Sequence, residues 1–251
     1  MQFNYPKKEN GLYILSRDAI DNIATTVLKK YYPQNLELPL PLNTTELLEE
    51  HLGLTVKRKY IGTIESGILG LIVLNDEVEI PSYDDMYRPV VLQETFGTVL
   101  ISQHLDGRDN APRRRYTEAH EGAHFILHSE CFNKTKQNVA KRSENLLGYI
   151  ACRKMETNQK SPKNDFDWLE WQADSLAASL LMPKDVFYSF AKKVIRENGV
   201  CDRRCVISQY TNKGQAYDII AEISEKFNVS HTAAQIRMLH LGLIKNTKLF
   251  V

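Results

Sequence analysis

The sequence predicts an α+β protein. An amphipathic helical period opens the chain, a block rich in β-branched residues follows from Leu54 to about Leu105, and helical periods fill the remainder. Hydrophobic residues make up 43% and charged residues 25% of the 251 residues, which suits a globular core able to stabilise itself without disulfides. The formal charge of +1 supplies no strong global field towards nucleic acid or an anionic membrane, which weakens a reading built on bulk electrostatics.

The first helix is expected over residues 17–31, where Ile20, Ile23, Ala24, Val27 and Leu28 keep the i, i+3, i+4, i+7, i+8 stripe. Pro33, Pro39 and Pro41 predict an extended stretch after it. Asn43 followed by Glu46 predicts a short capped helix through Leu47 and Leu48, closed near Gly53. Three strands follow: LTVKRKYI from Leu54, GILGLIVLN from Gly67 and GTVLIS from Gly97. The run from Gly67 to Leu74 is too short to cross a bilayer and reads as a buried strand.

A helix is expected after Pro112, followed by a polar stretch from Asn133 to Asp165. In that stretch only NLLGYIAC suggests order, as a strand near the active site. A strong helix then runs from about Phe166 to Met182 and ends at Pro183, which cannot continue the hydrogen-bond ladder. Another helix covers about 184–197. The tail reads as helix, turn at Asn228–Ser230, helix, with Ser230 as N-cap. The expected organisation is a main domain over 1–199 and a small helical region over 200–251. The amino terminus carries no secretory signal, so the expected location is the cytoplasm, with no membrane association. The four cysteines, at 131, 152, 201 and 205, are expected as free thiols.

The densest chemistry lies in His120-Glu121-Gly122-Ala123-His124, an H-E-x-x-H pattern that a random chain of this composition would show roughly 0.01 times. Residues four apart on a helix stand one turn above each other, so two imidazoles can converge on one Zn²⁺. Glu121 is turned about 100° from His120 and flanks that point, placed to take a proton from a water the metal acidifies. Catalytic zinc usually holds three protein ligands, and the best third is Glu170 in Glu170-Trp171-Gln172-Ala173-Asp174. The apolar stripe Leu169, Ala173, Leu176, Ala177 and Leu180 would press this helix onto the first. Asp174 would then accept the outward N–H of a ligand histidine and fix its tautomer. The competing reading of Glu170 and Asp174 is a solvated acidic pair on an amphipathic helix.

RRRYTEAHEGAHFILH followed by WLEWQADSLAASLLMP resembles the signature of the ImmA/IrrE-type metallopeptidases. The resemblance is strong over about residues 97–185 and weaker in the tail FNVSHTAAQIRMLHLGLI. It implies a gluzincin-like core with a small mixed or antiparallel sheet, an active-site helix and a second ligand helix. It also implies one zinc per chain on His120, His124 and Glu170, with Glu121 as general base. Asp174 stands where that family often has asparagine, and Ala123 where it often has glycine. The implied activity is cleavage of a protein substrate, a helix-turn-helix transcriptional repressor controlling mobile-element or stress genes. The alternative is a non-cleaving, metal-stabilised regulator that binds a repressor or DNA.

Other residues invite roles. His128 continues the histidine stripe but would point past the metal, about 12 Å from His120 along the axis, so it reads as a structural or outer residue. Tyr116, one turn before His120, reads as a packed tyrosine or an oxyanion or substrate contact; a substrate contact is also open to His128. Arg113, Arg114 and Arg115 near a helix N-terminus call for pairing or substrate contact. Cys201 and Cys205 lack partners for a structural zinc site. The helix-turn-helix-like tail offers only Arg237 among strong base readers, so direct nucleic-acid binding is not expected.

Overall fold

The computed structural model describes residues 3–134, 149–153, 162–200, 206–208 and 211–245. Helix takes 51% and strand 17% of the described residues, with the strands gathered in small sheets between helices, as the α+β reading requires. Cys201, Cys205 and the first part of NLLGYIAC lie outside the described residues. Among the described residues, no helix is long and apolar enough to cross a membrane.

The chain divides into two compact units. One comprises Met1–Ile20 and Asn43–Ala177, the other Asp21–Leu42 and Ala178–Val251.

In the first unit, α2 (Thr44–Glu46) is capped as expected: the Asn43 side chain accepts from the Glu46 amide, and the helix runs on as a π turn over Leu47–His51. The strands are β1 (Thr55–Lys59), β2 (Ile68–Val73), β3 (Val78–Tyr83), β4 (Pro89–Glu94), β5 (Thr98–Ser102) and β6 (Tyr149–Arg153). Four of them form a mixed sheet in the order β1-β5-β2-β6; only the β1–β5 pair is parallel. The hairpin β3–β4 makes a second, antiparallel sheet. The sequence singled out β1, β2 and β5 but not this hairpin, because Pro81 interrupts the strand signal of β3.

Strand alternation explains the continuous apolar run of β2. Ile72, Val99 and Ile101 pack in one cluster with Leu48, Leu105 and Phe125. Their neighbours Leu71, Val73 and Leu100 pack in another with Val78, Ile80 and Leu92 of the hairpin. A strand buried on both faces has no polar face to show. The long helix α3 (Ala111–Lys134) lies against β2, β5 and β6. It starts at the Asn110 carbonyl, which takes the Arg114 amide, and Pro112 sits in its first turn, where no N–H is needed. Helix α4 (Asp165–Leu181) ends just before Pro183.

In the second unit, helix α1 (Arg17–Tyr31, its first turn in the other unit) leads into a 3₁₀ turn over Pro33–Leu36. That turn corrects the expected extended stretch: Pro33 occupies the first helical position, where its fixed φ favours a turn. Helices α5 (Lys184–Glu197), α6 (Lys213–Phe227) and α7 (His231–His240) follow. Between α6 and α7, Asn228 adopts φ 50° and Ser230 caps α7 by accepting from the Ala233 amide. Arg237 does not face outward as a base reader would. It is buried and donates to Asp21 Oδ1 at 2.6 Å and to the Met182 carbonyl at 3.1 Å.

Candidate metal centre

Helix α3 is unusual in what it buries. Thr117, Glu118, His120, Glu121, His124 and His128 are all buried, although polar groups placed there cost stability unless each finds a partner. Glu118 is held structurally: it takes Arg58 Nη2 at 2.5 Å, Thr44 Oγ1 at 2.5 Å and Thr45 Oγ1 at 3.2 Å. The histidines and Glu121 converge on α4 instead.

His120 Nε2 and His124 Nε2 lie 2.9 Å apart, one turn of α3 separating them. Glu170 reaches in from α4, with Oε2 at 3.5 Å from His120 Nε2 and Oε1 at 3.3 Å from His124 Nε2. One donor atom from each of these three residues falls within 4.8 Å of the others. Tetrahedral zinc with bonds of roughly 2.0–2.1 Å separates its ligand atoms by about 3.3–3.4 Å. The separations straddle that value, and the donor chemistry fits as well. Glu170 Oε1 is buried and accepts no directed hydrogen bond among the described residues, and two imidazole nitrogens with a carboxylate are a donor set that suits a divalent cation. A metal ion is accommodated by this set.

The supports behind the ligands are equally ordered. Asp174 Oδ1 accepts from His120 Nδ1 at 2.9 Å. His124 Nδ1 meets His128 Nδ1 at 3.0 Å, and His128 Nε2 meets Gln172 Oε1 at 3.0 Å. The Gln172 amide donates to the Tyr13 carbonyl at 2.6 Å, and Trp168 Nε1 donates to the same oxygen at 3.2 Å. Tyr116 and His128, for which a substrate or oxyanion contact was held open, both hydrogen-bond to neighbours within the fold. Tyr116 spends its hydroxyl proton on the Asp174 carbonyl at 3.2 Å. His128 is fully buried with both ring nitrogens engaged. Of the three arginines, Arg114 reaches the Leu105 carbonyl at 3.5 Å.

Glu121 is fully buried, and neither carboxylate oxygen meets a donor among the described residues. Burial pushes its pKa up to about 8, with Glu170 and Asp174 adding to the rise against His120. It lies against β2 at Gly70: a Cβ there would stand 3.0 Å from Glu121 Oε1 and 2.5 Å from Thr117 Cγ2. The β2–β6 register shifts between Ile68 and Gly70, at the same point. Burial lowers the pKa of His124, and lowers that of His128 to about 3. Burial works to raise the Glu170 carboxyl, yet the facing His124 and His120 rings hold it well below the ordinary carboxylate range.

Gln172 and Gly70 were not found from sequence. Gln172 carried a usable signal, a polar side chain beside Ala173 and Leu176 at a core phase of α4. Compared with models of known protein families and with curated proteins, the chain matches none.

Proposed function

We propose that the protein is a zinc-dependent endopeptidase. One observation carries the reading: His120, His124 and Glu170 converge on a single point from two helices, with the buried, unpartnered Glu121 carboxylate beside it. Bound there, zinc supplies a Lewis acid that acidifies water and polarises a peptide carbonyl. His120 and His124 present neutral nitrogens, and Glu170 brings the one negative charge of the ligand set. Glu121 takes a proton from the attacking water and returns it to the leaving amine. Asp174 holds the His120 ring in its working orientation.

The likeness of its motifs to the ImmA/IrrE-type metallopeptidases supports a regulatory substrate, a helix-turn-helix repressor cut at one site. The test is elemental analysis of tag-free protein, followed by digestion of a proteome-derived peptide library with new termini read by mass spectrometry. One zinc per chain, lost in Glu170→Ala, together with cleavage abolished in Glu121→Gln, is the expected result. Zinc retained with no cleavage by the wild type would move the reading to a metal-stabilised binding protein.

A further inference from the structure

Behind His124 runs a chain of three groups whose hydrogen-bond directions are fixed from its far end. A backbone carbonyl can only accept, so the Gln172 amide must turn its NH₂ towards Tyr13. Its carbonyl oxygen then faces His128 Nε2, 3.0 Å away, and that oxygen also can only accept. His128 must therefore carry its proton on Nε2, which leaves Nδ1 bare. A bare Nδ1 accepts from His124 Nδ1–H across 3.0 Å, so His124 keeps its proton on Nδ1 and turns Nε2 towards His120 and Glu170 as the nitrogen free to take a metal. We infer that the Tyr13 carbonyl, through Gln172 and His128, fixes the tautomer of His124 and makes its Nε2 a metal donor. His128 and Gln172 are positioning residues in this arrangement.

The two ligand histidines are thus set by different devices. His120 leans on a carboxylate, Asp174, whose charge stabilises the donated proton. His124 leans on neutral groups buried away from water, where a wrong tautomer would leave two N–H groups or two lone pairs opposed. The chain also ties the centre to the amino-terminal segment, because its last acceptor lies 159 residues from Gln172 in sequence.

The inference rests on the proposed metal site for its consequence, but the tautomers can be read without metal. In chelator-treated wild type labelled with ¹⁵N-histidine, long-range ¹H–¹⁵N spectra are expected to show His128 protonated at Nε2 and His124 at Nδ1. His128 protonated at Nδ1 would overturn the relay even if the protein binds zinc. Wild type that shows these tautomers but takes up no zinc when the metal is added back would sink the peptidase reading and leave the relay standing. For affinity, His128→Leu removes the acceptor and should weaken zinc binding about 10–100-fold, measured by competition with a chromophoric chelator. His128→Asn places an amide oxygen where Nδ1 was and should recover binding to within a few-fold of wild type. A folded His128→Leu that binds zinc as tightly as wild type would remove His128 from this role.

Discussion

Asp174 Oδ1 stands 2.9 Å from His120 Nδ1, while Nε2 of the same ring faces His124 Nε2 at 2.9 Å. One side of the ring is held by a carboxylate and the other is left to the ligand point. Replacing Asp174 by alanine should lower zinc affinity about 10–100-fold, because the ring loses the acceptor that fixes it. Asparagine should cost less, since its side-chain oxygen still accepts the Nδ1 proton. Isothermal titration of both variants checks this; equal affinity in wild type and Asp174→Ala would show that the contact is incidental.

Gly70 gives Glu121 its room. The Cβ of an alanine there would meet the Thr117 methyl at 2.5 Å and the Glu121 carboxylate at 3.0 Å, and α3 is packed too closely to yield cheaply. Gly70→Ala should destabilise by about 1–3 kcal/mol and depress peptidase turnover more than zinc content. Adding Thr117→Ser removes the nearer obstacle and should return part of the stability. A double-mutant cycle in urea measures that coupling, and strict additivity would refute the close approach.

The buried Glu121 carboxyl predicts a pH dependence in chelator-treated protein. Its pKa rises from 4.5 to about 8 on folding, so between those values the folded chain holds a proton that the unfolded chain releases. Folded protein then binds more protons, and stability falls as pH rises through that window, by at most about 1.4 kcal/mol per pH unit. Glu121→Gln should flatten this part of the profile. Urea midpoints of variant and wild type across the window would show parallel slopes if the carboxyl were not so perturbed.

What the sequence made legible follows from the range of the physics. An i, i+4 spacing puts two side chains on one face of one helix, so the convergence of His120 and His124 could be read directly, and the acidic pair on α4 with it. Capping is also local, which is why Asn43 and Ser230 were read as caps. Gly70 could not be read, because its importance depends on β2 crossing α3 at Thr117 and Glu121. The same holds for Gln172, whose acceptor at Tyr13 comes from the far amino-terminal segment. Pro81 concealed β3 for a different reason: its ring forbids one ladder bond, and a two-stranded hairpin tolerates that where a central strand would not.

Arg237 was legible as a cation on the tail helix but not as a core residue, since its partner Asp21 lies 216 positions away. The pair is buried, with Ser179 Oγ also donating to Asp21 Oδ1 at 2.7 Å. Desolvation offsets much of the attraction in such a pair, so its presence adds little net stability, whereas its disruption is costly. Arg237→Met should destabilise by about 3–5 kcal/mol, because it strands a buried carboxylate beside the Met182 carbonyl it also leaves unpaired. Asp21→Leu combined with Arg237→Met should recover much of that loss by removing both charges at once. Equilibrium urea unfolding of the single and double variants decides it. A single variant within about 0.5 kcal/mol of wild type would mean that the arginine is free to turn outward, and would reopen the tail as a binding surface.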